Sequence, residues 1–329
     1  MLSRRSFGVD LVVLGDCNPD VLVLGSDVAP AFGQQEKLVD GISLVIGGSA
    51  AITAVAAARL GLRVALVAAV GADPAGEFMR DQLAAEGVDV GSVVVREDAP
   101  TGMTVALSRG GDRAILTALG AMASLTALDV PVALVARSRH VHASSYFLLE
   151  DSLGPGLAGI LATAQAAGAT TSLDTNWDPS GRWGDERLAA AIAAADLLLP
   201  NEAEALRLSG AASLDAAARA LSAGDRKLVV KLGERGVLCA EGAATHRVSV
   251  PAVAPVDTTG AGDCFNAGLI AGLLTGLALP QAAAFGCAVG ALSTGAPGGT
   301  AGAPRMAAAA ELAKQATSAV VFPAAGNLG

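Results

Sequence analysis

The second half of the chain alternates short apolar runs with helix-length segments, and that spacing leaves few ways to fold. The runs His140–Ala143, Thr170–Leu173, Leu197–Leu199 and Leu228–Lys231 read as buried strands. Segments at about Leu153–Ala167, Glu186–Ala195 and Leu214–Ala223 read as helices between them. Strands separated in this way join through right-handed crossovers, giving a mainly parallel sheet covered by helices on both faces. In such a sheet the ligand crevice lies at the carboxyl ends of the strands.

The first half repeats the theme with additions. Leu11–Gly15, Val21–Gly25, Ser43–Ile46 and Val64–Val70 read as strands, the first two separated by the polar turn Asp16-Cys17-Asn18-Pro19-Asp20. Gly47-Gly48-Ser49 opens an Ala-rich helix that runs to Leu60 and is ended by Gly61, and Pro74 starts a second helix reaching Glu86. Met103–Leu107 and Ala114–Leu119 flank Arg109-Gly110-Gly111-Asp112 as a β-hairpin. The segments Val21–Val39 and Thr101–Leu119 fit the parallel sheet poorly and are expected to form a small lid outside it.

A length of 329 residues suits one large α/β domain with an accessory element. Hydrophobic residues make up 52% and charged residues 16%, so a core is easily filled; with 3% aromatics it must be built from Ala, Val and Leu. The net charge of −9, without a Lys/Arg run, argues against a nucleic-acid partner but leaves room for an anionic cosubstrate held by backbone amides and a metal ion. Cys17, Cys239, Cys264 and Cys287 are scattered, as reduced thiols of a cytoplasmic protein would be. No apolar stretch precedes Asp10, so no signal peptide is expected. The uncharged run from Cys264 to Pro304 is long enough to span a bilayer. It divides instead into two helices of ordinary length, Gly260–Gly276 and Pro280–Thr294, and no membrane span is expected. Ser318–Gly329 reads as a loose apolar tail.

The chemistry concentrates at Gly260-Ala261-Gly262-Asp263. Small residues leave the backbone amides unshielded at the start of a helix, which is where an anion is stabilised. Asp263 at the end of that cradle could take a proton from a hydroxyl attacking a phosphoryl group, or simply cap the helix; the positive helix end favours its ionised form. The longer string Asp257-Thr258-Thr259-Gly260-Ala261-Gly262-Asp263, followed by Cys264-Phe265-Asn266-Ala267-Gly268, resembles the C-terminal signature of the ribokinase-like (PfkB) family of sugar and nucleoside kinases.

The resemblance implies a single ribokinase-like domain over residues 1–329, a three-layer αβα sandwich with a mainly parallel sheet. Lid segments at about 17–43 and 96–119 would be inserted in it. It also implies an ATP-dependent kinase that uses Mg2+ and phosphorylates a hydroxymethyl group of a sugar or sugar-like substrate. Asp263 would be the catalytic base, and Gly260, Ala261 and Gly262 would supply the anion hole. Asp257, Thr259 and Gly298 would surround a monovalent cation, K+. Asn18 and Asp20 would bind sugar hydroxyls, under the Gly47-Gly48-Ser49 signature. Asn201 and Glu204, in the Asn-x-x-Glu pattern, would position Mg2+ through water, together with the phosphates. Lys231, Gly233 and Gly236 would form the nucleotide loop, and Cys287 would flank the adenine. Asp174 and Asn176 fall near the phosphate channel, with a direct role left open.

Ile52 departs from the family pattern, which has asparagine there; one polar contact to the acceptor is lost. The sequence leaves two other readings standing, a nucleoside kinase of the same fold and a catalytically silent sugar- or nucleotide-binding homologue. A dinucleotide-dependent oxidoreductase is excluded, since no Gly-x-Gly-x-x-Gly follows the first strand. His140 and His142 read as packed, satisfied histidines. Arg109 and Arg113 either reach a phosphosugar or solubilise the hairpin tip. Pairing of two exposed lids into a homodimer would cover their apolar face.

Overall fold

A long twisted sheet organises the computed structural model, which describes residues 8–109, 112–242, 244–250 and 253–321. The chain runs through β1 (Val9–Leu14), β2 (Asn18–Leu24), β3 (Gly41–Gly47), α1 (Ser49–Arg59), β4 (Val64–Gly71), α2 (Pro74–Ala85), β5 (Val88–Arg96), β6 (Met103–Arg109) and β7 (Asp112–Ala118). It continues through α3 (Val132–Val135), β8 (Ser138–Ala143), α4 (Gly154–Ala166), β9 (Thr170–Leu173), α5 (Glu186–Ala193), β10 (Leu197–Leu198), α6 (Glu202–Ser209), α7 (Leu214–Leu221) and β11 (Lys227–Lys231). It closes with β12 (Val237–Glu241), β13 (Ala244–Ser249), α8 (Ala261–Leu274), α9 (Leu279–Ser293), α10 (Met306–Ala313) and β14 (Thr317–Val321).

The main sheet has the order β14-β13-β12-β11-β10-β9-β8-β1-β4-β5. Strands from β5 across to β11 are parallel, and β11 to β14 continue as an antiparallel meander. Side chains alternate between two cores, as a pleated strand requires. Val12 and Leu14 of β1 face one core with Leu157 and Leu161 of α4, whereas Leu11 and Val13 face the other with Val55 of α1 and Ile270 of α8. Helices thus cover both faces, the three-layer α/β arrangement expected from the alternation.

The uncharged run 264–304 contains α8 and α9, packed against each other through glycine. A Cβ on Gly268 would stand 2.9 Å from the Gly286 backbone, and one on Gly286 2.9 Å from the Phe265 carbonyl, so the helices approach at backbone distance. Among the described residues no helix is long and apolar enough to cross a membrane.

A second sheet, β3-β2-β6-β7, stands apart from the first. It is mixed: β2 pairs antiparallel with β3 but parallel with β6. Both segments expected to leave the main sheet therefore meet in one element, and its strand β3 extends to Gly47, past the expected boundary at residue 43. Its outer face carries the exposed side chains of Ile42, Leu44 and Leu116.

Several boundaries differ from the sequence reading. The turn after β1 is shorter than Asp16–Asp20, because Asn18 and Asp20 already pair in β2 with Gly47 and Val45. Strands β5, β12 and β13 were not anticipated; β5 alternates exposed and covered residues at the sheet edge instead of forming a solid apolar run. Helix α10 was not anticipated either, and Thr317–Val321 pairs with β13 as β14 instead of belonging to a loose tail. The remainder of that tail, the N-terminal residues 1–7 and the hairpin-tip pair Gly110-Gly111 lie outside the described residues, as do the side chains of Arg109 and Arg113.

Candidate active site

Asp263 occupies the first turn of α8, whose N-cap is Gly260 in the left-handed conformation at φ 70°. No side chain caps this helix, so its first amides keep their positive potential for a ligand. A Cβ on Gly260 would stand 2.7 Å from the Gly299 backbone, so only glycine fits the turn there. A Cβ on Gly262 would stand 3.6 Å from Lys231 Nζ, which places the ammonium directly over the glycine cradle.

Lys231 leaves the end of β11 and forms an ion pair with Asp174, at the end of β9. Asn266 Nδ2 of α8 donates to the same Asp174 oxygen at 2.6 Å. Burial works against the Lys231 charge, but Asp174 and Glu204 outweigh it and raise the ammonium pKa. Asp263 is buried, and its carboxyl is pushed well above the ordinary aspartate range by that burial and by the Asp174 charge, against the pull of Lys231. This corrects the expectation that the helix end would dominate. Desolvation of the whole site is the larger influence, and it gives a more basic carboxylate.

A second polar cluster is built within the smaller sheet, at the residues expected to meet the acceptor. Asn18 and Asp20 of β2 are buried; Asn18 Nδ2 donates to Asp20 Oδ1 at 3.1 Å and to Thr104 Oγ1 of β6 at 3.0 Å. Thr104 in turn shares a 3.1 Å bond with Thr117 of β7. The Gly47-Gly48 pair has a spatial reason: a Cβ on Gly47 would fall 1.9 Å from Asp20 Oδ1, and Gly48 has φ 82° against the Asp16 carbonyl. Ser49 begins α1 beside them. Ile52 is 3% exposed and packs on Gly299 and Gly260, so the residue that replaces the family asparagine fills the seam behind the anion cradle.

Beside Lys231, with which it forms an isolated bridge, Asn201 caps α6 and Glu204 returns the bond, with Glu204 Oε2 accepting from Asn201 N at 2.8 Å and Asn201 Oδ1 from Glu204 N at 2.9 Å. Burial and the Asp174 charge raise the Glu204 carboxyl to about 7. An unfolded glutamate ionises near 4.5, so as pH rises from there to about 7 the unfolded state loses its proton first and stability falls. Glu204→Gln is therefore expected to be more stable than the parent protein at pH 8, by about 3 kcal/mol, and to match it near pH 4.5; equal melting temperatures at both pH values would contradict the assignment.

Gly233 and Gly236 follow β11 with positive φ, and a Cβ on Gly236 would fall 2.1 Å from the Val248 carbonyl. Cys287 lies in an apolar cluster with Phe265, Leu269, Val229, Val237 and Cys239, and burial pushes its thiol up to about 12. All four cysteines are buried free thiols. Asp257 ties two loops together: its Oδ1 accepts from Thr259 N and Oγ1, at 2.9 and 2.7 Å, and its Oδ2 from Gly298 N at 2.8 Å.

Two groups were absent from the sequence reading. Asp16 accepts from Ser49 N at 3.0 Å and Ala50 N at 2.9 Å, holding the start of α1; an acidic residue in the first loop was the available signal. Asn266, one turn after Asp263 in the signature, meets a partner 92 residues away in sequence, which no local pattern marks. The two histidines are satisfied as expected on most counts: His140 bonds Thr170 and Ser172 at 2.7 Å each, and His142 Nδ1 bonds Ser172 at 2.8 Å. Burial holds their pKa values to about 3 and about 4, so both are neutral.

A carboxylate, an ammonium and an uncapped glycine-rich helix start meet at the carboxyl ends of parallel strands, an arrangement suited to an anionic ligand. The chain belongs to the pfkB family of carbohydrate kinases, whose match covers residues 10–306. It is 31% identical over 293 residues to a ribokinase of Haemophilus influenzae, covering 86% of this chain and 91% of the relative. It is 32% identical over 268 residues to a fructokinase of Salmonella typhimurium, covering 78% and 85%. A candidate ribokinase II from E. coli, solved with ATP and Mg2+, superposes with a TM-score of 0.81 at 25% identity, covering 93% of this chain and 99% of the other. The chain is a kinase that transfers phosphate to an alcohol group of a sugar or nucleoside, and its fold is the ribokinase-like sandwich.

Proposed function

We propose that this kinase transfers the γ-phosphoryl group of ATP to a hydroxymethyl group of a sugar held between Asn18/Asp20 and Asp263. The observation that carries the reading is the convergence of Asp263, Lys231 and the Gly260–Gly262 cradle at one helix start. Asn18 and Asp20 would receive the acceptor's hydroxyls, a carboxylate accepting while an amide donates. Asp263 takes the proton of the attacking hydroxyl, a task that suits a carboxylate whose pKa is raised by burial. The amides of Gly260, Ala261 and Gly262, with Lys231 above them, stabilise charge on the transferring group.

Glu204 and Asn201 fit a hydrated Mg2+, because a buried carboxyl near neutrality gains from a nearby cation; when bound, the ion neutralises phosphate charge. Gly233 and Gly236 let the chain approach the nucleotide, and Cys287 lies on the adenine side. Asp257, Thr259 and Gly298 would bound a K+ site where the two loops join.

An ADP-release screen over pentoses, hexoses, keto-deoxy acids, phosphosugars and nucleosides tests the reading. Mg2+-dependent ADP release with a free sugar is the expected result. Sugar binding without any turnover across the panel would replace it with the silent homologue.

The second sheet reads as a lid over the acceptor, and its outer apolar face, with Ile42, Leu44 and Leu116, suits a second copy of the chain. Sedimentation at micromolar concentration should give a dimer, and Leu44→Glu with Leu116→Glu should give a monomer. A monomeric parent protein would overturn this arrangement.

A further inference from the structure

Four polar residues from four separate elements close a hydrogen-bonded ring beside Asp263. Asp16, after β1, accepts from the Ser49 backbone at 3.0 Å, and the Ser145 hydroxyl acts to lower the pKa of the Asp16 carboxyl. Ser145, after β8, donates its backbone N–H to Asn176 Oδ1 at 2.8 Å. Asn176, after β9, donates from Nδ2 to Ser49 Oγ at 2.9 Å, which completes the ring.

The polarity of this ring is not free. A backbone N–H can only donate, so the Asn176 oxygen must face Ser145 and its amide nitrogen must face Ser49. Ser49 Oγ is therefore an acceptor in the ring, and its single proton is left for a partner outside. Asp263 is the acceptor within reach: Thr53, one turn after Ser49 on the same face of α1, donates from Oγ1 to the Asp263 carbonyl at 3.3 Å, and the Ser49 hydroxyl acts to lower the pKa of the Asp263 carboxyl. Backbone conformation adds an independent sign of construction. Ser145 and Asn176 both have φ 58°, a left-handed conformation that costs a residue with a Cβ roughly 1–2 kcal/mol. Two such residues bonded to each other at the end of adjacent parallel strands indicate a geometry held by its surroundings.

We propose that Ser49 is a positioning residue for Asp263, held by Asn176, Ser145 and Asp16 so that its one hydroxyl proton is directed at the carboxylate. The ring orients the base and supports its ionised form. It opposes the three other influences that would keep the base protonated: burial and the charges of Asp174 and Asp16, relieved otherwise by Lys231. Ser49 would then belong to the catalytic carboxylate more than to the acceptor, although it adjoins the acceptor's glycine pair. The inference rests on Asp263 as the base.

The test is the titration of the Asp263 carboxyl in the ligand-free full-length chain, followed by 13C NMR and assigned by its loss in Asp263→Asn. Removing one hydrogen bond to the charged form in Ser49→Ala should move the midpoint up by about one pH unit, and Ser49→Thr should restore it towards the parent value. Asn176→Gly keeps the left-handed backbone without adding a charge, and it removes the donor that makes Ser49 Oγ an acceptor. The Ser49 hydroxyl is then free to turn from Asp263, and the midpoint should rise part of the way. If Ser49→Ala does not fold, Asn176→Gly decides alone, and an unmoved midpoint there overturns the proposal. An unmoved midpoint in Ser49→Ala, or a Ser49→Thr shift as large as that of Ser49→Ala, overturns the proposal. An active Asp263→Asn would instead remove Asp263 as the base, a separate failure read from turnover and not from titration.

Discussion

Asp263→Asn is expected to lower turnover by about 1,000-fold or more while ATP binds with nearly unchanged affinity. The substitution preserves shape at a buried position in the first turn of α8. It removes a carboxyl that burial and Asp174 already disfavour as an anion, so the melting temperature should hold or rise. Only the proton acceptor is lost. ADP release in the presence of the best acceptor measures turnover, and calorimetric titration with an ATP analogue measures binding. Near-normal turnover would sink Asp263 as the base; lost ATP binding would mean the carboxylate organises the nucleotide instead. The raised Asp263 pKa also sets a pH dependence: kcat/KM should fall as pH drops through that value, at a higher pH than an ordinary aspartate would give.

The second large effect is expected from Gly47→Ala. The backbone of Gly47 lies outside the positive-φ set, so alanine meets no conformational penalty of its own. Its methyl group would fall 1.9 Å from Asp20 Oδ1 and 2.1 Å from Asp20 Cγ, and the carboxylate must swing away. Acceptor KM should rise by roughly 100-fold, since a displacement of about 1 Å at a positioning group has that scale. The KM for ATP should stay within about twofold of the parent value, because the three atoms nearest that methyl all belong to Asp20. Steady-state kinetics with each substrate varied in turn distinguishes the two. Equal losses for acceptor and ATP would indicate general disruption instead of a displaced Asp20.

Much of the main sheet was legible because β8 to β11 are solid apolar runs separated by helices of standard length. The βα repeat is a local signal, written by burial on both faces. Strand β5 was not legible, because it lies at the edge and alternates, and β12 to β14 form an antiparallel meander with no helix between strands to mark them. The site followed the same logic. Gly260–Asp263 could be found because a glycine cradle and its carboxylate are contiguous in sequence. The partnership of Asp16, Ser145, Asn176 and Ser49 could not, since it depends on four strand and helix ends meeting in space. Nor could the direction of the Asp263 pKa: a helix N-terminus is visible in sequence, whereas the desolvation that outweighs it belongs to the folded site.

The pairing of Asn18 with Gly47 in the second sheet has one more consequence. Asn18 begins β2 four residues after β1 ends, and Gly47 closes β3 two residues before α1 begins with Ser49. With the acceptor on Asn18 and the base at Asp263, as proposed, grip on the acceptor and alignment of the carboxylate would be geared through a few covalent bonds. A water molecule too small to span from β2 to Asp263 would not engage that gear. Discrimination between sugar and water would then come from leverage as much as from affinity, and idle ATP consumption would stay low.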